Sequence, residues 1–319
     1  MTSEKFVILR GSVGSPSSGA LINELKNSNF KVIGYDANPF SVGFYLCDNS
    51  YVVPKGDEPE FFENILRICD AEKPNILCPN TESELLVLSK NKEKLKEKGV
   101  IPFFPDYDSV SICADKLETE KKFNEIGIQF VRTYNTDEIV YPCILKPRSG
   151  KGSQNVFKIN SQSELEFYKN KVDDSITQEF IDGTEFSVDV YSDLNGIPFS
   201  IIPRERIQTE SGISIKGMTT FEEEIIEYCD KIARSLKLIG PSCIQCIKNK
   251  NETKFIEVNT RFGGGSILSI KSNPSIIPNI QRIIRGEEVI PNNKFKEGLT
   301  MLRYYKEVFV ERNNLMNPK

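Results

Sequence analysis

The chain has 319 residues, 39% hydrophobic and 27% charged, with 41 Lys and Arg against 45 Asp and Glu. Its net charge of −4 argues against a nucleic-acid binder that neutralises phosphates, and no apolar run reaches the roughly 20 residues that cross a bilayer. Histidine is absent, which excludes Ser-His-Asp and Cys-His mechanisms and histidine-ligated zinc. The remaining chemistry depends on carboxylates, Lys, Arg, amides or a bound cation, as in phosphoryl transfer.

Short apolar runs alternate with amphipathic stretches over residues 1–105. They predict strands at 6–9, 31–35, 51–53 and 75–78, and helices from about residue 17, at 59–71 and at 82–98. This alternation predicts a parallel, Rossmann-like α/β domain. The Gly11-Ser12-Val13-Gly14 segment after the first strand is only half of a dinucleotide fingerprint, and it favours a tight strand-to-helix turn over nucleotide binding.

The pattern changes after residue 106 to strands in close succession. Helices are predicted at 115–126, 162–170 and 221–236, and strands at 143–146, 155–159, 176–180, 185–191, 198–203, 242–248 and 253–258. This order predicts an antiparallel α+β domain over 106–290, in two lobes of about 106–180 and 181–290. Residues 291–319 form a C-terminal extension with one strand candidate at 299–305.

A lysine at the end of an apolar strand precedes a glycine-rich loop. Lys146 is followed by Gly150, Gly152 and Ser153, whose backbone N–H groups would close over phosphates while Lys146 supplies a point charge. The loop does not fit a Walker A motif, and a Gly-Ser hairpin turn is the alternative interpretation.

The segment 177–189 places a strand, a break at Gly183 and a second strand that carries Glu185. Such a break predicts a hinge between lobes, where the backbone meets a purine edge and Glu185 accepts from ribose hydroxyls. Solvated strand positions are the alternative interpretation.

Oxygen donors of the kind that Mg²⁺ prefers lie near residue 260. Glu257 and Asn259 are two residues apart on one strand and therefore share a face, and Gln245 lies on the preceding strand. Arg261 then supplies a forked cation for phosphate, before three glycines. The Cys243-x-x-Cys246 pair lacks a second pair at zinc-site spacing, so we interpret it as structural.

These segments, in this order, resemble an ATP-grasp enzyme of the group similar to the carbamoyl-phosphate synthetase large subunit and the carboxylate–amine ligases. The resemblance covers essentially the whole chain as a pre-ATP-grasp domain and an ATP-grasp domain. It implies that ATP phosphates are bound by Lys116, Lys146, Gly150, Gly152 and Ser153, the adenine edge and hinge by Glu179, Phe180 and Ile181, and the ribose by Glu185. It also implies magnesium ligands at Gln245, Glu257 and Asn259, and catalytic cations at Arg261 and Lys146.

The activity implied by the resemblance is ATP-dependent ligation through an acyl phosphate. The γ-phosphoryl group passes to a carboxylate, an amine attacks the acyl phosphate, and an amide, ADP and phosphate result, with two Mg²⁺ ions for which Mn²⁺ substitutes. Substrate candidates are Arg204 and Arg206 on one strand, Lys216 on a mobile loop, and Glu82 at the start of a helix.

Two other functions remain open from the sequence. One is an acyl-phosphate-forming kinase or half of a carbamoyl-phosphate synthetase, and the other is a non-catalytic ATP-binding regulator. The expected partners are small-molecule carboxylates and amines, with no nucleic acid or membrane, and a homodimer is open because relatives often dimerise. Single cysteines within apolar runs predict a reducing, cytoplasmic location.

Overall fold

A five-stranded parallel sheet forms the N-terminal part of the protein. The computed structural model describes residues 5–136, 138–150, 152 and 154–316. The strands are β1 Phe6–Arg10, β2 Phe30–Asp36, β3 Asn49–Val52, β4 Ile76–Cys78 and β5 Ile101–Pro102, and the helices are α1 Ser18–Asn27, α2 Phe61–Glu72, α3 Glu82–Lys90 and α4 Lys92–Glu97. The strand order is β3-β2-β1-β4-β5, and every pairing is parallel. The predicted parallel α/β architecture is confirmed.

The predicted single helix over 82–98 is wrong. Asn91 ends α3 and precedes α4, and its side-chain Nδ2 donates to the carbonyl of Val87 at 2.9 Å. An asparagine side chain that bonds the preceding turn competes with the backbone and favours a helix end. The lysine-rich stretch after it therefore forms a separate helix.

Two antiparallel sheets follow along the chain. The elements are α5 Tyr107–Ala114, α6 Lys116–Glu125, β6 Cys143–Pro147, β7 Phe157–Ile159, α7 Gln162–Lys169, β8 Ser175–Glu179, β9 Thr184–Ser192, β10 Pro198–Glu210, β11 Ile213–Thr219, α8 Glu223–Ser235, β12 Gly240–Lys248, β13 Thr253–Asn259, α9 Ser266–Ser272, α10 Ile276–Ile284 and β14 Thr300–Leu302. The smaller sheet has the order β7-β6-β8, and the larger has the order β13-β12-β9-β10-β11-β14. The mixed fold class is confirmed, whereas the domain and lobe boundaries remain predictions.

The mobile loop predicted around Lys216 is wrong. β10 extends to Glu210, and β11 returns along it with Gly217 opposite Arg206. Lys216 pairs across the other edge with Leu302 of β14, and its side chain is exposed. The flanking glycines do not interrupt this strand, because both of its edges are hydrogen-bonded.

One hydrophobic cluster joins the parallel sheet to the large antiparallel sheet. It contains Ile8 and Val32 from the first sheet, Tyr191 from β9, Phe262 after β13 and Ile280 from α10. Because these buried side chains pack against one another, the carboxyl ends of β1 and β4 lie close to the end of β13. Within the described part of the chain, no helix is long and apolar enough to cross a membrane.

Candidate active site

A cavity of about 610 Å³ lies between the two antiparallel sheets. The small sheet contributes β6 and the glycine-rich loop after it, and the large sheet contributes the floor. Of the predicted site residues, the cavity wall includes Lys116, Lys146, Gly150, Gly152, Glu179, Phe180, Ile181, Glu185, Arg204, Arg206, Gln245, Glu257, Asn259 and Arg261. The fold therefore brings together residues that lie up to 145 positions apart in sequence (261 − 116).

The strand register explains why the polar floor is continuous. In the antiparallel ladder, Ser187 on β9 is opposite both Gln245 on β12 and Arg204 on β10. Gln245 is in turn opposite Glu257 on β13, and side chains two residues apart share a face. The floor therefore carries carboxylates, amides and guanidinium groups side by side.

Lys146 projects from β6 into the cavity while its strand neighbours pack into a core. Cys143 and Leu145 are completely buried on the opposite face of the strand, as strand alternation requires. The Lys146 side chain is itself only 5% exposed, and this burial lowers the pKa of its amine to about 8. The nearby Glu257 carboxylate opposes that shift, and Lys116 adds to it.

Lys116 lies at the start of α6, where two ionic contacts fix the local backbone. Asp115 caps the helix by accepting from the amide of Leu117 at 2.9 Å, and it binds the guanidinium of Arg148 through both oxygens. Lys116 Nζ donates to the carbonyl of Arg148 at 3.3 Å. The helix start and the beginning of the glycine-rich loop are therefore tied together beside Lys146.

Two of the predicted metal ligands, Glu257 and Asn259, form a hydrogen-bonded chain with Arg261 on the floor. Asn259 Nδ2 donates to Glu257 Oε1 at 2.8 Å, and Arg261 Nη2 donates to Asn259 Oδ1 at 2.9 Å. Gln245 lies directly opposite Glu257. Among the described residues, no three or more His, Cys, Asp or Glu side chains group as a metal site. This set has one carboxylate and two amides, so a divalent cation there needs phosphate oxygens for its remaining negative charge.

Two arginines of β10 form ion pairs with β9. Arg204 is 1% exposed and binds both oxygens of Asp189, at 2.8 and 3.0 Å. Arg206 lies 3.1 Å from Glu185 and also donates to the carbonyl of Gly212. Burial raises the pKa of Glu185, and the Arg206 charge opposes this shift. Both guanidinium groups are therefore buried as well as ion-paired.

The hinge end of the cavity is largely apolar. Its wall includes Val131, Ile144, Val156, Phe180, Ile181, Ile247 and Ile256. Glu179, predicted at the adenine edge, binds Lys254 Nζ through both oxygens at 2.8 Å and accepts from the Arg132 amide. Its carboxylate therefore already has partners, and it ties β8 to β13.

The parallel sheet contributes further side chains to the cavity wall, among which the serines after β1 were not predicted from the sequence. These are Ser12, Ser15 and Ser17 after β1, and Asn80 and Thr81 after β4. β1 and β4 flank the point where the strand order reverses, and ligands of open α/β sheets bind outside the carboxyl ends at such a point. In the sequence, the serines of the turn after β1 were the feature that could have indicated this contribution to the cavity.

Two predicted substrate residues, Lys216 and Glu82, are not part of the main cavity wall. Lys216 is outside the cavity wall, and Glu82 lines a small adjoining cavity together with Lys116 and Glu257. Ser153 lies outside the described residues. The Cys243 and Cys246 side chains, three apart on β12, point to opposite faces and do not form a ligand pair.

The comparisons with known proteins agree with this geometry. The family of PylC-like N-terminal domains matches residues 12–103, and the ATP-grasp domain family matches residues 113–265. A carbamoyl-phosphate synthase from Methanobrevibacter smithii is 26% identical over 77% of this chain and 71% of its own length. The carbamoyl phosphate synthase large chain from Clostridium botulinum is 26% identical over 84% of this chain, which spans only 27% of that relative.

A solved structure shows the same fold. The L-amino acid ligase from Bacillus licheniformis superposes with a TM-score of 0.69 at 19% identity, covering 91% of this chain and 78% of that one. The predicted resemblance to ATP-grasp enzymes is confirmed by the domain match and by the carbamoyl-phosphate synthase relatives. The chain therefore carries an ATP-grasp domain at residues 113–265, and a PylC-like N-terminal domain precedes it at residues 12–103.

Proposed function

We propose that the protein is an ATP-dependent carboxylate–amine ligase that forms an amide through an acyl phosphate and releases ADP and phosphate. The observation that carries this proposal is the layout of the cavity. Lys146 comes from the small sheet and Lys116 from the start of α6, whereas Arg204, Glu257 and Asn259 come from the large sheet and Arg261 follows its strand β13. Such a layout suits transfer of a phosphoryl group between two anions, because positioning and charge neutralisation dominate that chemistry.

The nucleotide fits along the strand direction of the floor. The apolar hinge end, with Ile181 and Phe180, suits a purine, and Glu185 is the nearest acceptor for ribose hydroxyls. From Glu185 to Asp189 the strand advances about 13 Å, at roughly 3.3 Å per residue. A triphosphate that starts beside Glu185 would therefore pass Lys146 and end close to Glu257 and Arg261.

The donor set near the phosphates fits Mg²⁺. Gln245, Glu257 and Asn259 would hold the ion, with Glu257 as the single protein carboxylate. When bound, the ion would screen the charge of the transferring phosphoryl group. We propose two such ions, with Mn²⁺ as a substitute, since one carboxylate and two amides leave coordination positions for phosphate oxygens.

The chain's own groups complete the proposed reaction. Lys146 and Arg261 neutralise charge on the phosphates, and the glycine-rich loop excludes water from the acyl phosphate. The cavity thiol, Cys243, is not a nucleophile at neutral pH, because burial raises its pKa to about 11. The transferred group therefore passes directly to the substrate carboxylate.

The acceptor is best matched by an amino-acid-like metabolite. Asp189 binds Nε and Nη2 of Arg204, so Nη1 remains for a ligand at the cavity wall, and hydroxyl and amide groups of Ser12, Ser15, Asn80 and Thr81 face the same cavity. A cation suits a carboxylate, and neutral acceptor oxygens suit an amine. The structural likeness to an L-amino acid ligase supports the same class.

The test is ADP release by the purified protein with MgATP and pools of amino acids. Turnover that requires both a carboxylate and an amine supports the ligase. Turnover with a carboxylate alone, trapped as a hydroxamate by hydroxylamine, indicates an acyl-phosphate-forming kinase. Tight nucleotide binding without turnover indicates a regulator and contradicts the proposal. Glu257→Gln should abolish turnover, whereas Glu227→Gln, an exposed position of α8, should leave it unchanged.

A further inference from the structure

The C-terminal strap, residues 291–303, lies beyond the match to the ATP-grasp domain and reaches back to the cavity. Its amides donate to the body of the protein at several points: Asn292 to the Phe199 carbonyl at 2.8 Å, Lys296 to Ser272 at 2.9 Å and Gly298 to Thr219 at 2.8 Å. β14 within the strap then pairs with β11. The strap is therefore an integral edge of the large sheet.

Arg303 ends the strap and contacts the glycine loop, residues 263–265. Its backbone amide donates to the Ile215 carbonyl at 3.0 Å, and its Nη2 donates to the Gly264 carbonyl at 2.8 Å. Its Nη1 is buried and has no hydrogen-bond partner among the described residues. Burial lowers the pKa of Arg303, and the neighbouring Arg204 charge lowers it further. Arg303 is half-buried, and a buried, unpaired guanidinium nitrogen beside a second cation lowers the stability of the fold, which indicates that this arrangement has another role.

The bond to Gly264 sets the direction of the next amide. The C=O and N–H of one planar peptide point in opposite directions, so the Gly265 amide points away from Arg303. Gly264 and Gly265 line the cavity, whereas Arg303 lies behind them and outside its wall. The amides of the glycine loop have no acceptor within the described part of the chain.

Arg204 lies on the other side of the same loop. A Cβ on Gly265 would lie 2.1 Å from Arg204 Nη1, so only glycine lets the loop pass this close to the guanidinium. Asp189 holds Arg204 through Nε and Nη2, which leaves Nη1 beside the loop. A loop amide and a guanidinium N–H are therefore available to one anion at this point of the cavity.

We propose that Arg303 is a positioning residue, which holds the Gly264 carbonyl and thereby presents the glycine-loop amides to the carboxylate of the acceptor beside Arg204. The acceptor part of this inference rests on the proposed ligase function. Arg303 itself does not touch the substrate. Its removal should therefore affect the acceptor and leave nucleotide binding intact.

The test compares Arg303→Met with Tyr304→Ala, a matched change on the adjoining residue, whose side chain is 80% exposed. Hydrogen exchange of the peptide containing residues 263–268 is measured first, without ligand. We expect Arg303→Met to speed exchange at least tenfold and Tyr304→Ala to leave it unchanged. Equal exchange in all three proteins would overturn the proposal.

Two further measurements separate positioning from general stability. Arg303→Met should bind MgATP within twofold of the wild type. Its turnover should fall at least tenfold, or its KM for the acceptor should rise at least tenfold. Arg303→Lys should restore part of the lost activity. A parallel loss of MgATP affinity and melting temperature would show a merely structural role and refute positioning. The second measurement uses inorganic phosphate as the anion probe on the MgADP-loaded protein. Arg303→Met should weaken the binding of phosphate at least tenfold. Unchanged phosphate binding overturns the proposal even if the wild type fails as a ligase.

Discussion

The pKa of Lys146 gives the sharpest prediction for nucleotide binding. Because burial lowers this pKa to about 8, the amine of the free protein is about nine-tenths protonated at pH 7 and about one-tenth protonated at pH 9. Phosphate oxygens bind the charged form, so binding above pH 8 must take up a proton. We therefore expect MgATP affinity to fall about tenfold between pH 7 and pH 9, or about 1.4 kcal/mol.

Calorimetry in two buffers of different ionisation enthalpy measures both the affinity and the proton uptake. Lys146→Arg keeps its charge throughout this range and should bind MgATP with no pH dependence. Lys146→Met should also be independent of pH, but weaker by about 1.5–3 kcal/mol, the value of a charged hydrogen bond. If Lys146→Met shows the same pH dependence of MgATP affinity as the wild type, this pH dependence does not come from Lys146.

Three substitutions test other parts of the floor. Glu257→Gln keeps the shape of the metal-ligand chain but removes its only carboxylate; turnover should fall at least a hundredfold with an unchanged melting temperature, and a wild-type rate would contradict the metal role. Asp189→Asn leaves the buried Arg204 charge without its carboxylate, so urea unfolding should show a loss of about 3–5 kcal/mol; a loss under 1 kcal/mol would contradict it. Arg206→Met removes the charge that opposes the raised pKa of Glu185, so the ionised fraction of Glu185 should fall as the pH drops. On acidification, its MgATP affinity should therefore begin to decrease at a higher pH than that of the wild type, and identical profiles would disprove the coupling.

Local sequence patterns predicted the parts of the site that lie on single strands or hairpins. The two-residue period of β13 places Glu257 and Asn259 on one face. Lys146 at the end of an apolar strand was recognisable for the same reason. In each case the relevant contact spans few residues, so strand periodicity is sufficient.

Long-range pairing decided what the sequence could not predict. Glycines at 212 and 217 indicated a loop, but β14, over 80 residues later, pairs with β11 and stabilises it as a strand (301 − 217 = 84). The same pairing brings Arg303 to the glycine loop, which no local pattern indicates. The serines after β1 reach the cavity only because the parallel sheet packs on the large sheet through one shared hydrophobic cluster.

The absence of histidine has a physical consequence for the proposed second half-reaction. An attacking amine must lose a proton, and the cavity offers carboxylates, guanidinium groups and the Lys146 amine for this. In the proposed binding mode, Lys116 and Lys146 would pair with phosphate as cations, and the pKa of the Cys243 thiol is raised to about 11, so these groups are not suitable bases at neutral pH. Glu185 and Glu257 are engaged with Arg206 and Asn259. We infer that the departing phosphate takes the amine proton, so the protein needs to hold charges in place and requires no proton-transferring side chain of its own.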